Sequence, residues 1–307
     1  MSTQLRGLFP VAVTPFDEQG LIDEDSLRRS LEFYIEAGAN GIAHILGGSE
    51  FNTLADEERR LITRIVTQVV DHRVPVMIGV SGVSPQHAVE MAKYAEQCGA
   101  DAVVSMPSYT RIPMSPPQIE EYYLAIGEAV NIPIVIQNAG GPFGVPMSPE
   151  MLTRLMQQSE HISYIKEETG SAGHMISAVL KMAGDACKGI FGGGGAWRIL
   201  NEYRRGSCGT LPFPDVTDIH AAVWSALEAG ELEKAKQIHH RLLPLYNMEG
   251  GFGVNLCNEI LYRRGVIATA TLRIPGRAPL DDIDHEWLTS ILDDLQDMFT
   301  CYPIVGH

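Results

Sequence analysis

A lysine at the end of a mostly apolar run is the first residue in this chain that could do chemistry. Lys166 lies in Ile162-Ser163-Tyr164-Ile165-Lys166-Glu167-Glu168-Thr169-Gly170, which reads as a strand running into a glycine turn. Apolar surroundings disfavour an ammonium, and a neutral amine is the nucleophile that attacks a carbonyl to form a Schiff base. Residues two apart on a strand share a face, so Glu168 is expected beside Lys166, with Glu167 pointing the other way. A carboxylate beside the amine either shuttles protons or only neutralises the lysine. The plain alternative for Lys166 is a strand-end side chain reaching solvent.

Other strand ends carry further candidates. Gly47-Gly48-Ser49 offers backbone N–H groups and a hydroxyl, a usual means of holding a carboxylate, although an ordinary tight turn has the same composition. Met106-Pro107-Ser108-Tyr109-Thr110 and Ile136-Gln137-Asn138-Ala139 place Tyr109 and Gln137 after two more apolar runs. The run Gly192-Gly193-Gly194-Gly195 could approach a phosphate, but Arg198 is the lone cation close by. Close passage of a substrate along the backbone at Gly193 is therefore favoured. The ten histidines show no pair spaced as metal ligands, and His44, inside a strand candidate, reads as a hydrogen-bonded core residue. Five cysteines without a CxxC pair argue against zinc and disulfides and for reduced thiols, with Cys208 and Cys257 in the core.

The elements that must position these residues alternate. Strand candidates fall at 8–13, 42–46, 74–80, 102–106, 132–137, 163–167, 189–191 and 208–211, mostly as continuous apolar runs, as parallel strands covered on both faces should be. Helical patterns lie between them at 25–37, 56–70, 85–97, 117–130, 149–158, 175–182 and 197–205. Their start signals include Ser84-Pro85 and Ser148-Pro149-Glu150. A glycine turn recurs in Gly38-Ala39-Asn40-Gly41, Gly99-Ala100-Asp101-Ala102 and Gly206-Ser207-Cys208-Gly209. Eight such units predict an α/β fold, a (β/α)8 TIM barrel over residues 1–229, with active residues at the C-terminal strand ends. A doubly wound sheet would want GxGxxG after its first strand, where Thr14-Pro15-Phe16 stands instead. Residues 230–307 are helical only (232–246, 254–264, 285–298) and predict a helical bundle packed on the barrel.

Bulk properties bound the partners. The 307 residues are 45% hydrophobic and carry a net charge of −15, which disfavours nucleic acid and anionic membranes. No apolar run approaches the roughly 18 residues a membrane span needs. The polar start, Met1 to Gly7, does not read as a signal peptide, so a cytoplasmic protein is expected.

Over nearly its whole length the chain resembles the dihydrodipicolinate synthase / N-acetylneuraminate lyase family of class I aldolases. The resemblance is carried by Gly7-Leu8-Phe9-Pro10-Val11-Ala12-Val13-Thr14-Pro15-Phe16, by Gly38-Ala39-Asn40-Gly41, by the segment from Ser49-Glu50-Phe51-Asn52 to Arg59, and by Lys166-Glu167-Glu168-Thr169-Gly170. It implies that Lys166 forms a Schiff base with the keto carbon of a 2-oxo acid, that Tyr109 matches a family tyrosine, and that the protein is a homotetramer. No cofactor or metal is expected. The departures are specific: Leu46-Gly47-Gly48-Ser49-Glu50 lacks the family's threonine hydroxyls, Gln137 replaces its catalytic tyrosine, and Gly140-Gly141-Pro142-Phe143 lacks the arginine the synthase uses. Gln137 can hydrogen-bond but cannot exchange a proton at neutral pH.

The 2-keto-3-deoxy-L-arabonate dehydratases are similar in these departures and in Leu242-Leu243-Pro244-Leu245 through Glu249. The implied activity is dehydration of a 2-keto-3-deoxy sugar acid, with Gly47, Gly48, Ser49, Gln137 and Gly193 binding substrate and Lys166, Glu168 and Tyr109 catalytic. The alternatives are retro-aldol cleavage to pyruvate, a non-catalytic 2-oxo acid binder, and a metal-dependent lyase.

Overall fold

The structure is a computed structural model that describes residues 5–107, 109, 112–140, 144–274 and 279–304. Eight strands form one sheet: β1 (Gly7–Leu8), β2 (Ile42–His44), β3 (Val76–Gly79), β4 (Ala102–Ser105), β5 (Ile134–Asn138), β6 (Ile162–Glu167), β7 (Gly189–Gly192) and β8 (Gly209–Thr210). Their order is β1-β8-β7-β6-β5-β4-β3-β2, and neighbours from β3 to β8 pair in parallel. Helices α1 (Glu24–Glu36), α2 (Asp56–Val70), α3 (Pro85–Gln97), α4 (Pro116–Ala129), α5 (Pro149–Gln158), α6 (Ala172–Ala183), α7 (Ile199–Arg204) and α8 (Thr217–Glu228) alternate with them. This is the (β/α)8 barrel fold. Four further helices follow: α9 (Leu232–Arg241), α10 (Leu243–Phe252), α11 (Val254–Arg263) and α12 (Asp282–Leu295).

The expected segment 232–246 is two helices. Pro244 lies in the first turn of α10, where its missing N–H costs nothing; in the middle of one long helix it would remove a hydrogen bond and clash with the preceding turn. The start signals at Ser84 and Ser148 are used, and Asp23 serves in the same way. Asp23, Ser84 and Ser148 cap α1, α3 and α5 by accepting N–H bonds from Ser26, His87 and Met151.

The repeated glycine turn is one structure three times over. Gly38, Gly99 and Gly206 have φ of 89°, 91° and 93°, where a side chain is strained. After each, the next N–H reaches back five residues to a helix carbonyl: Ala39 to Tyr34, Ala100 to Ala95 and Ser207 to Glu202. In the first two, the following polar side chain accepts the N–H of a strand residue, Asn40 from Leu8 of β1 and Asp101 from Val76 of β3.

The chain divides into two compact units. One comprises Pro75–Gly194 and Arg198–Leu211 with the segment ending at Gly7; the other comprises Leu8–Val74, Gly195–Trp197 and the chain from Pro212 onward. In the first unit β3 to β8 are buried along their whole length, which is why their residues read as continuous apolar runs. In the second, Leu245, Leu256, Ile260, Leu288 and Leu292 from α10 to α12 pack with Val216 and Ile219 of α8.

The second unit also encloses a cation. Arg264 has a fully buried side chain, paired with an equally buried Asp218 at 2.8 Å. Its Nε donates to Tyr302 O, Nη1 to Asp215 O and Asp218 Oδ1, and Nη2 to Asp218 Oδ2 and Cys301 O. The guanidinium sits over the Phe33 and Phe299 rings at 4.7 and 4.4 Å. All five N–H groups of the planar fork are thus engaged, a set that a lysine cannot match. Arg264→Ala is expected to destabilise the protein by about 3–5 kcal/mol, because it strands the buried Asp218 carboxylate. Urea denaturation checks this, and Arg264→Lys should recover only part of the loss.

Candidate active site

The site grows from strand parity in β5, β6 and β7. Register pairs Gln137 with Lys166 and Lys166 with Phe191, while Asn138 pairs with Glu167 and Glu167 with Gly192. Gln137 and Lys166 therefore share one face, and Asn138, Glu167 and Gly192 share the other.

On the first face Lys166 Nζ lies 2.9 Å from Glu168 Oε1, with the two side chains 5% and 20% exposed. The expected adjacency of Lys166 and Glu168 is present, and the lysine points away from solvent. Glu168 Oε2 accepts from Gln137 Nε2 at 2.6 Å, and Oε1 accepts from Gly194 N at 3.4 Å. Burial pushes the Glu168 carboxyl up, but the Lys166 ammonium and the bonds from Lys166, Gln137 and Gly194 outweigh it. The group stays ionised, below its usual range.

On the opposite face Glu167 accepts from Asn138 Nδ2 at 2.7 Å, from Thr169 N at 2.8 Å and from the Thr169 hydroxyl. Burial raises its pKa. Asn138 Oδ1 accepts from Met147 N at 2.8 Å, tying the segment before α5 to the strand end. Glu167 thus anchors β6 to β5 while Glu168 faces the amine.

The glycine run has a packing reason that the sequence did not disclose. A Cβ on Gly193 would lie 2.8 Å from Glu168 Cδ, and one on Gly192 would lie 2.7 Å from Glu202 Cδ. Consecutive glycines therefore make room for two carboxyl groups, one on each side of β7. Gly194 and Gly195 have φ of 60° and 73°, and Gly195 lies against the Trp197 indole. In the second unit that indole donates to Glu249 Oε2 at 2.8 Å, and Trp197 O is bonded to His239 Nε2 at 3.1 Å.

Glu202, which the sequence does not mark, sits on α7 and is 1% exposed, with neither carboxylate oxygen hydrogen-bonded among the described residues. Burial pushes its carboxyl up to about 7, opposed by the Arg198 guanidinium and reinforced by Glu167 and Glu168. No local pattern marks it, because its partner is the backbone of Gly192.

Tyr109 is half-buried after β4; its neighbours Ser108 and Thr110 lie outside the described residues, as do Gly141, Pro142 and Phe143. Gly47–Ser49 form a 3-10 turn in the second unit, with Gly47 and Gly48 half-buried and Ser49 fully buried. The Ser49 hydroxyl donates to Ala12 O at 2.5 Å, and Ser49 N donates to Leu46 O at 2.9 Å. His44 is a core residue whose Nδ1 accepts from Ile45 N at 2.7 Å, and burial lowers its pKa to about 3. Cys208 and Cys257 are buried free thiols whose pKa burial raises. Among the described residues no cluster of three or more His, Cys, Asp or Glu could hold a metal ion, and no helix is long and apolar enough to cross a membrane.

Fold and kinship together define a lyase built on a (β/α)8 barrel. The chain belongs to the dihydrodipicolinate synthetase family, whose model matches residues 4–295. It is 31% identical over 275 residues to L-2-keto-3-deoxyarabonate dehydratase of Azospirillum brasilense, covering 88% of each chain. It is 28% identical over 242 residues to an Escherichia coli K12 protein named "Probable 2-dehydro-3-deoxy-D-pentonate aldolase YjhH", covering 78% of this chain and 80% of that one. The crystal structure of dihydrodipicolinate synthase from Rhodopseudomonas palustris superposes with a TM-score of 0.87 at 25% identity, covering 95% of this chain and 98% of that one.

Glu202 gives a pH prediction. Its folded pKa lies above the unfolded value of 4.5, so its contribution to stability is full below that pH and is lost as pH rises toward about 7. Relative to Glu202→Gln, the wild-type protein should lose up to roughly 3 kcal/mol over that window. Urea midpoints of both proteins at several pH values test this; a difference independent of pH would contradict it.

Proposed function

We propose that this protein is a Schiff-base-forming lyase of 2-oxo acids, and that its reaction is dehydration of a 2-keto-3-deoxy sugar acid. The observation that carries the proposal is the hydrogen-bonded chain Lys166–Glu168–Gln137, with glutamine where the family resemblance implies a catalytic tyrosine. The Azospirillum relative, named for dehydration of L-2-keto-3-deoxyarabonate, supports the substrate class.

In the proposed cycle Lys166 passes one ammonium proton to Glu168 and attacks C2 of the substrate. The resulting carbinolamine loses its hydroxyl as water, taking the proton back from Glu168. The iminium acidifies C3, and the Glu168 carboxylate removes a C3 proton. The enamine so formed expels the C4 hydroxyl, again protonated by Glu168, and water then hydrolyses the unsaturated iminium to free Lys166. One carboxyl group 2.9 Å from the amine can serve every transfer, and Gln137 holds it in place without itself exchanging protons. Tyr109 is proposed to assist at the mouth of the site. The substrate carboxylate is proposed to lie on the Gly47-Gly48-Ser49 turn. Because the Ser49 proton is directed at Ala12, the backbone N–H groups of Gly47 and Gly48 are the proposed donors. Close substrate passage at Gly193 completes the proposed binding set. A homotetramer in the cytoplasm is part of the same proposal, as the resemblance implies.

Retro-aldol cleavage is the rival, favoured by the name of the Escherichia coli relative. Dehydration breaks no carbon–carbon bond and needs no collapse of an alkoxide to an aldehyde, which suits a site whose tyrosine position is Gln137. Incubation with 2-keto-3-deoxy-L-arabonate should consume substrate while a lactate dehydrogenase coupled assay stays silent. Pyruvate release would make the protein an aldolase, and no turnover across a panel of keto-deoxy acids would leave a binder. Glu168→Gln should lower kcat about a hundredfold or more.

A further inference from the structure

Glu50 has a backbone that suits glycine and a side chain that is buried and charged. Its φ and ψ are 53° and 35°, the left-handed region that strains a residue carrying a side chain. It is 1% exposed, and its Oε2 accepts two consecutive backbone N–H groups, from Arg273 at 2.9 Å and Ile274 at 2.6 Å. A glycine would relieve the backbone but supply no carboxylate. The residue type is explained by those two charge-assisted bonds.

The N–H groups belong to a strap, residues 266–274, that is fastened along its length within the second unit. Val266 O accepts from Arg29 Nε at 2.8 Å, Ala268 N donates to Ser26 Oγ at 3.0 Å, and the Thr269 hydroxyl donates to Phe16 O at 2.6 Å. Arg273 closes it. Its guanidinium makes a two-pronged pair with Glu58 at 2.8 Å for each bond, donates through Nε to Gly20 O at 2.6 Å, and lies 4.3 Å from the Phe16 ring centroid. Glu58 also accepts the Ala55 N–H at the start of α2. Through Glu50 and Glu58 the strap therefore grips the connection between β2 and α2 and the first turn of α2. Glu50 is the grip next to Gly47-Gly48-Ser49, and its own N–H closes that turn onto Gly47 O at 3.1 Å.

We propose that Glu50 is a positioning residue: by clamping the 266–274 strap it fixes the Gly47–Ser49 turn in the conformation that receives the substrate carboxylate. The proposal rests on the 2-oxo acid reading above, and it assigns to a buried acid a role in binding that involves no contact with substrate. Glu50→Gln keeps the size but replaces the carboxylate with a neutral amide: its oxygen can still accept the two N–H bonds, without charge assistance, while its N–H₂ takes the buried place of Oε1. The clamp on the turn is weakened while Lys166 is untouched.

The test uses two ketones, pyruvate with a carboxylate and dihydroxyacetone without one. Borohydride-trapped adduct on Lys166 is followed by intact-protein mass spectrometry as ketone concentration is raised. For Glu50→Gln the half-saturating pyruvate concentration should rise about tenfold, the equivalent of the charge assistance lost from two hydrogen bonds, with the dihydroxyacetone curve unchanged. A shift that is equal for both ketones, or absent for both, would overturn the proposal. If Glu50→Gln does not fold, Arg273→Ala, which removes the Glu58 pair but keeps the backbone N–H, is judged by the same two curves. Wild-type protein that traps neither ketone would instead remove the 2-oxo acid reading, and with it any carboxylate for the turn to hold.

Discussion

The pairing of Lys166 with Glu168 beyond the end of β6 is the constraint around which the first unit is arranged. An ammonium and a carboxylate that are mostly withdrawn from water are each costly alone and tolerable only together, with their remaining donors and acceptors satisfied. Gln137 supplies one of those bonds from β5 and Gly194 another from beyond β7. Gly193 gives up its side chain so that Glu168 can lie against the backbone. On the reverse face Asn138 and Thr169 hold Glu167, so that the strand cannot rotate its two glutamates out of register without losing three hydrogen bonds.

The second unit meets the same problem differently. Its buried charges are neutralised by backbone as much as by side chains. Arg264 donates to three carbonyls besides Asp218, and Glu50 accepts from two N–H groups. Both link chain segments far apart in sequence: Arg264 ties α11 to α8 and to residues 301 and 302, and Glu50 ties residues 273 and 274 to the connection that follows β2. The helices after α8 are therefore more than a cover: through residues 266–274 they reach the turn proposed to receive the substrate.

Legibility in the sequence followed the range of the interaction. Strand parity is local, so the shared side of Lys166 and Glu168 and the opposite side of Glu167 could be read from a period of two. The glycine turns at Gly38, Gly99 and Gly206 are equally local and repeat with nearly the same φ. Gln137 was visible as a departure at a strand end. By contrast Glu202 acquires its character only when α7 folds onto Gly192, and Glu50 only when a segment more than two hundred residues away supplies its donors. The glycine run was visible, but its cause was not: the room it leaves is filled by Glu168 and Glu202, which no local pattern could place there. Pro244 carried a readable signal, a helix start, that a continuous hydrophobic pattern across 232–246 obscured.

The chemistry proposed for this chain requires a covalent bond between one particular amine and a ketone. Incubation with pyruvate and borohydride, followed by protease digestion and peptide mass mapping, tests that bond directly. A reduced pyruvate adduct is expected on the peptide containing Lys166 alone, and none in Lys166→Ala. An adduct on another lysine, or none under conditions where the protein turns over its substrate, would contradict the proposed chemistry.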